Sequence, residues 1–190
     1  TSSPARWQII GQQVMMGLLG IGASILNTDQ WDGYEATRDR LFANIRKYAP
    51  GEVVVLTGDI HTSWANDLVE DSGDAAKYDP KTGIGALAVE FVVPGITSGG
   101  LPGGIGAGIL DLVRENNPHV RWNDLAFRGY GVVDVTQDRV QCDWFHLEDI
   151  AKADSAEFAA ASWQTHHGSG HLDVAAAPVA PRTDVAKKAP

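Results

Sequence analysis

A carboxylate and an imidazole stand two residues apart in Gly58-Asp59-Ile60-His61, directly after the apolar run Glu52-Val53-Val54-Val55-Leu56-Thr57. Carboxylate oxygen suits hard or borderline cations, and neutral imidazole suits Zn, Fe or Mn, so Asp59 and His61 have the chemistry of two metal ligands. In an extended turn, residues i and i+2 point to the same side, which brings both groups to one cation. Gly58 lets the chain turn sharply ahead of them. Two ligands are fewer than the about three or four that a protein metal site needs. An Asp capping a turn beside a His bonded to backbone explains the same spacing, so on spacing alone both readings stand.

Other residues carry weaker chemical signals. His119 follows Asn117-Pro118 at a helix end, where it either contacts phosphate in a crevice or sits as a helix-terminal imidazole favoured by the dipole. Arg128 opens a strand as an anion ligand or as half of an ion pair. Asp32 with Glu35 has the spacing of a capping box, which gives Asp32 a structural role in preference to a carboxylate pair with Asp29. Trp31 and Trp64 flank the Asp59 segment as core or rim packing, or as walls of a cleft. His166, His167 and His171 surround Gly168-Ser169-Gly170 and read as a loop without chemistry, with adventitious metal binding as the alternative. Pro94–Gly108 is Gly/Pro-rich but lacks the Lys-Ser/Thr ending of a phosphate-cradling P-loop, which excludes nucleotide binding of that kind.

The elements that must position these residues follow α/β grammar. Trp7–Ile10 reads as a short buried strand, with Gly11-Gln12-Gln13 as a polar turn. Residues 14–28 are apolar but interrupted by glycine, which predicts an irregular packed segment rather than a helix. Tyr34, Leu41, Phe42, Ile45 and Tyr48 recur at helical spacing, and Pro50-Gly51 ends that helix. The run 52–57 is short, β-branched and almost wholly apolar, as in a strand of a parallel sheet buried on both faces. Ligands bind at the carboxyl ends of such strands, which is where Asp59 and His61 fall. Residues 70–85 read as a polar surface loop, Ala88–Val93 as a strand and Leu110–Glu115 as a short helix. Tyr130–Val135 and Arg139–Leu147 alternate as two strands joined at Thr136-Gln137-Asp138. Val140, Cys142 and Trp144 share one face there, so Cys142 reads as a small buried hydrophobe. From about Ala175 the Ala/Pro/Lys-rich composition predicts a disordered tail, leaving residues 1–174 as one folded unit.

Composition narrows the function classes. The 190 residues include 24 acidic and 15 basic side chains, a net charge of −9, with 44% apolar and 21% charged residues. That is a globular composition, and the acidic balance argues against a general nucleic-acid surface. No apolar run approaches the roughly 20 residues of a membrane span, so a soluble chain is expected. One cysteine cannot form an internal disulfide. The chain starts Thr1-Ser2-Ser3-Pro4, without Met or a signal-peptide pattern, and reaches a strand almost at once, which predicts a processed product or a fragment.

Six segments in order carry a resemblance. They are Ala5–Met16 (ARWQIIGQQVMM), Asn27–Tyr34 (NTDQWDGY), Val53–Leu68 (VVVLTGDIHTSWANDL), Glu90–Ser98 (EFVVPGITS), Asn117–His119 and Arg128–Thr136 (RGYGVVDVT). Together they resemble the C-terminal half of PhoD-type alkaline phosphatases/phosphodiesterases over about residues 5–147. The resemblance implies an α/β architecture, half of a calcineurin-like metallophosphoesterase β-sandwich flanked by helices. It implies a metal-dependent phosphoester hydrolase, with Asp59 and His61 as metal ligands and Ca and Fe as the ions, Mn or Zn being alternatives. Where that superfamily usually has a histidine ligand after the preceding strand, this chain has Gln12 and Gln13, and Gln13 is the candidate lining residue, with Arg128. Cations in such a site neutralise phosphoester charge and activate water for in-line attack. The family's earlier Asp- and Asn-containing motifs have no counterpart here. The expected partners are therefore a phosphoester substrate and an N-terminal half of the same protein, or a second chain, that completes the site. A non-catalytic interaction remnant of the scaffold is the competing expectation. A periplasmic or secreted location is implied by the resemblance alone.

Overall fold

The computed structural model describes residues 5–22, 24–99 and 107–183. In chain order it forms strands β1 (Gln8–Gly11), β2 (Gly20–Ile21) and β3 (Ser24–Ile25), a 3-10 turn (Trp31–Tyr34), helix α1 (Glu35–Tyr48), β4 (Val53–Thr57), β5 (Ser63–Val69) and β6 (Ala86–Val92). Helix α2 (Ala107–Asn116) follows, then β7 (Val120–Asp124), β8 (Arg128–Val135), β9 (Arg139–Leu147), β10 (Glu157–His166) and β11 (Asp173–Val174). A five-stranded sheet has the order β1-β4-β6-β5-β7, and a four-stranded sheet has the order β11-β10-β9-β8. β4 lies parallel to both of its neighbours, β1 and β6, as the apolar run at 52–57 predicts. β5 and β7 extend that sheet antiparallel, and the second sheet is antiparallel throughout. The fold is thus mixed α/β, mostly sheet with few helices.

Alternation along β4 explains the layers, because successive strand residues point to opposite faces. Val53 and Val55 pack with Phe42, Ile45 and Ala49 of α1 and its end. Val54 faces the other way, into a cluster with Val89, Phe91, Val140, Cys142 and Trp144 that joins the two sheets. Trp144 is the centre of that contact. Its ring lies edge-on to Phe91 at 5.6 Å and tilted against Trp122 at 5.1 Å, and its indole N–H donates to Val92 O at 2.9 Å. Cys142 is buried there as the strand pattern predicts, and burial pushes its thiol pKa up.

Residues 15–22 run through the interior largely outside sheet and helix, so side chains must satisfy their amides. Met16 N and Gly17 N donate to the two oxygens of Glu90 at 2.8 and 2.9 Å. Thr57 Oγ1 and Asn66 Nδ2 complete that carboxyl's shell at 2.7 and 3.1 Å. Leu19 N donates to Asp32 Oδ2 at 3.1 Å, and Gly20 N to Asn117 Oδ1 at 2.9 Å. Glu90 is fully buried, and desolvation holds its pKa above the usual carboxyl range against the pull of its four donors.

One expectation needs correction. Asp32 does not cap α1, whose N-cap is Tyr34 without a side-chain bond. It sits in the 3-10 turn, accepts Leu19 N–H and pairs with buried Arg38 at 3.2 Å, because that position faces the interior. β5 and β10 were not legible as strands: Asn66 and Asp67 break the apolar run of one, and the other is rich in alanine, a weak strand former. Residues 175–179, at the start of the expected tail, are bonded to β9 and β10. Ala175 N donates to Ser162 O, Gln141 Nε2 to Ala177 O and Val179 N to Asp143 Oδ2, at 2.9, 3.0 and 2.9 Å. Residues 184–190, the rest of the expected tail, lie outside the described residues.

Just ahead of that strap, Asp67 is buried between Tyr78 and His171. Tyr78 Oη donates at 2.7 Å, His171 Nδ1 lies 2.6 Å away, and Leu172 N donates to the second oxygen at 2.9 Å. The bond to Asp67 raises the His171 pKa above its ordinary 6.5, the opposing burial effect being smaller. A histidine raised in the folded state adds stability that is complete below its unfolded pKa and lost as pH rises through the folded value. The denaturation midpoint is therefore expected to fall as pH rises above about 6.5, and His171→Gln is expected to remove that part of the slope in urea titrations across pH. Backbone space gives a second prediction. A Cβ on Gly17 would meet Asn66 Nδ2 at 2.8 Å, whereas a Cβ on Gly11 meets nothing within 4 Å. By chemical denaturation Gly17→Ala should cost about 1–3 kcal/mol and Gly11→Ala less than about 0.5 kcal/mol.

Candidate functional site

β4 runs between its parallel neighbours β1 and β6 and ends at Thr57, so the Gly58–Thr62 turn emerges at the carboxyl edge of the parallel strands. β1 supports it from the side: Gln12 N donates to Leu56 O at 3.0 Å, and Gly58 N donates to Gln13 O at 3.3 Å. Ser63 then starts β5, which returns antiparallel.

The turn is not extended. Asp59 has φ +67 and His61 φ +59, and among the described residues these are the non-glycine residues with positive φ. Ile60 N donates to Gly58 O at 2.8 Å, which closes a three-residue γ-type turn with Asp59 at its centre. Left-handed backbone at a side-chain-bearing residue costs about 1–3 kcal/mol and concentrates at functional sites. The strain sits on the two residues singled out for metal chemistry, not on Gly58, whose φ is not positive.

Each of the two side chains is exposed and each is held by one neighbour. Asp59 Oδ2 accepts from Gln30 Nε2 at 3.4 Å. Gln30 is 3% exposed, and its amide orientation follows from its other bond, since its Oε1 accepts the Met15 N–H. His61 Nδ1 lies 2.9 Å from Gly99 O. A carbonyl only accepts, so Nδ1 carries the proton and Nε2 keeps a free lone pair, the arrangement of a metal-binding histidine. Among the described residues, no group of three or more His, Cys, Asp or Glu converges on one point. The donors present fit a cation in type but supply part of a coordination shell.

The other candidates fall elsewhere. Gln13 is exposed at the end of β1 and touches the turn through its carbonyl, while the buried Nε2 of Gln12 has no partner. His119 is not brought to the turn. Its carbonyl accepts from Asp67 N, four positions along β5 from Ser63, and its buried Nε2 lies 3.0 Å from Leu18 O. Burial lowers its pKa to about 4. Arg128 is buried, and its guanidinium donates to Ser98 O and Phe127 O rather than to a carboxylate. Trp64 is core, with its indole N–H on Thr62 Oγ1 at 2.6 Å, and Trp31 packs over the α1 cluster. Asp29 is exposed in a turn with Asn27. His167 lies 3.6 Å from Glu52 and edge-on to Trp7, and His171 belongs to Asp67, so the three C-terminal histidines do not converge.

Sequence reasoning missed Gln30, Gly99 and the Ser63–His146 pair. Ser63 Oγ and His146 Nε2 lie 3.0 Å apart, with the imidazole stacked on Phe127 and Trp122. Burial lowers the His146 pKa. Gln30 lay inside the quoted segment NTDQWDGY, and its position before two aromatic-flanked acidic residues was the one available signal. Nothing local marked the others, because their partners are distant in sequence.

Residues 1–144 match the family model described as PhoD-like phosphatase. Alkaline phosphatase D of Bacillus subtilis (strain 168) is 34% identical over 166 residues, covering 85% of this chain and 27% of that protein. A solved structure described as that of PhoD superposes with a TM-score of 0.77 at 30% identity, over 94% of this chain and 33% of the other. The chain therefore spans about a third or less of the length of the relatives it matches.

The strain at the turn is measurable. Glycine accepts positive φ without a Cβ clash. Asp59→Gly and His61→Gly are expected to be more stable than Asp59→Ala and His61→Ala by about 1 kcal/mol each in denaturant titrations. Equal stability of the Gly and Ala variants would show that the turn relaxes out of the left-handed region.

Proposed function

The chain belongs to the PhoD-like phosphatase family, and from that premise we propose that it is the C-terminal part of a metal-dependent phosphoester hydrolase, a phosphatase or phosphodiesterase. The observation that carries this reading is the strained turn at the carboxyl end of β4, which carries Asp59 and His61 two residues apart, both exposed and with His61 Nε2 free. These two would hold a cation through a carboxylate oxygen and an imidazole nitrogen, a donor set suited to Fe, Mn or Zn, with Ca favoured where further oxygens join. When bound, such a cation supplies Lewis-acid neutralisation of the phosphoester's charge. The chain's own contribution is orientation: Gln30 restrains Asp59, Gly99 fixes the His61 tautomer, and Gln13 borders the turn.

The remaining ligands are assigned to the N-terminal half of the same protein or to a second chain. β1 and β8 are sheet edges, and the residues just before β1 meet the turn just after β8, since Trp7 Nε1 donates to Thr136 O and Arg6 Nε to Gln137 O, each at 2.7 Å. An apolar cleft of about 320 Å³ is lined by Leu56, Gly58, Phe91, Val93, Val133 and Cys142. We place the missing strands of a calcineurin-like sandwich along these two edges. On this reading the chain alone does not turn over substrate. The incomplete ligand set among the described residues also favours a second reading, a non-catalytic interaction domain. The family's implied setting is outside the cytoplasm; among the described residues no helix is long and apolar enough to cross a membrane.

Phosphate release from chromogenic mono- and diesters, measured on the longest polypeptide carrying this chain, separates the readings. Asp59→Asn or His61→Ala is expected to lower kcat by about 100-fold or more. Undiminished activity in either variant would remove the assignment. Absence of hydrolysis in that polypeptide with Ca, Fe, Mn and Zn would establish the interaction domain instead.

A further inference from the structure

Arg128 is a buried cation to which the reading above gives no work. It is 4% exposed at the first position of β8. A guanidinium withdrawn from water is usually matched to a carboxylate, whose two oxygens fit its planar fork. Here its two hydrogen-bond partners among the described residues are backbone carbonyls: Nε donates to Ser98 O at 3.2 Å and Nη1 to Phe127 O at 2.7 Å. One residue beyond Ser98, the carbonyl of Gly99 is the group that accepts the Nδ1–H of His61.

The segment that carries those two carbonyls is fastened from the same side. Gly129 N, next to Arg128, donates to Gly95 O at 3.0 Å. Ser98 Oγ donates to Pro94 O at 3.1 Å, closing the loop on itself. Without Arg128, Ser98 O would lose its charged donor among the described residues, and the following peptide would be less firmly held. A free imidazole exchanges its proton between the two nitrogens, and the acceptor at Nδ1 is what selects one form.

We propose that Arg128 is a positioning residue for His61: by clamping Ser98 it holds the Gly99 carbonyl in place, which locks the ring's tautomer and turns Nε2 outward. The use of that nitrogen as a ligand rests on the function proposed above, whereas the clamp itself rests on the geometry alone. Lysine cannot replace arginine in this role, because one ammonium does not reproduce two N–H directions fixed in a plane.

Nitrogen-15 NMR of the histidine rings in the full 190-residue chain tests the clamp, with Zn²⁺ as the probe for Nε2. In the unsubstituted chain the neutral His61 ring should show the Nδ1–H form alone, and Zn²⁺ should shift Nε2. In Arg128→Met both tautomers should appear, and Zn²⁺ affinity at His61 should fall about 10–100-fold, as for other outer-shell partners. Arg128→Lys should show the same loss and carries the comparison if Arg128→Met does not fold. Ile45→Val, which loosens the α1 packing without touching the loop, should leave the His61 signals unchanged, so general destabilisation is separated from positioning. A single Nδ1–H tautomer in a folded Arg128 variant would overturn the proposal. A wild-type Nε2 that Zn²⁺ does not move would instead overturn the ligand reading of His61, and the tautomer comparison would still decide the part played by Arg128.

Discussion

A polypeptide that leaves its sheet while still in the interior has to find acceptors for its amides, and in this protein Glu90 provides them. Its two oxygens take the N–H groups of Met16 and Gly17, and the same oxygens receive Thr57 from β4 and Asn66 from β5. Burying a carboxyl is unfavourable, and removing its donors one at a time would leave a desolvated acid. The arrangement is therefore all-or-none, and it ties three strands to the stretch of irregular chain that crosses them. Gly17 is part of the same constraint, since only a residue without Cβ lets the backbone come this close to Asn66.

From that node the order passes outward to the reactive surface. Met15, one residue before the captured pair, holds Gln30 by a backbone bond to Trp31 as well as through the side chain. Gln30 then reaches Asp59, while Thr57 fixes the last residue of β4 before the turn. A second line of support reaches the turn from the other sheet, through β8 and the Ser98–Gly99 carbonyls to His61. Of the two exposed side chains, Asp59 is thus held by a buried amide and His61 by a backbone carbonyl at the surface. This is how a surface site on a strained turn acquires a defined geometry without a pocket closing over it.

The sequence made the parallel core readable because β4 is a short β-branched run with glycine after it, and helix α1 because Phe42, Ile45 and Leu41 recur at helical spacing. The β8–β9 hairpin was readable from alternation around Thr136-Gln137-Asp138. What stayed hidden depends on distant pairings. β5 looks like a loop until Asn66 is seen on Glu90 and Asp67 on His171, partners 24 and 104 residues away. Asp59 and His61 were legible as a pair, but their left-handed backbone was not, since composition points to Gly58 for that task. His119 read as a candidate phosphate contact from its place after Asn117-Pro118 at a helix end; its burial against Leu18 comes from the irregular segment, which no local pattern foretells.

The clamp on Asp67 also sets an order in time. Its carboxyl is enclosed only when His171 and Leu172 arrive, 104 and 105 residues later in the chain. At typical synthesis rates of about 5–20 residues per second, β5 waits roughly 5–20 s on the ribosome for the groups that let it be buried. Through that interval Asp67 has Tyr78, 11 residues further on, as a donor but lacks the two groups that complete its enclosure. The interior around Asp67 is therefore completed by a segment made long after β5, and a chain ending short of His171 would leave that carboxyl with Tyr78 alone of these three donors.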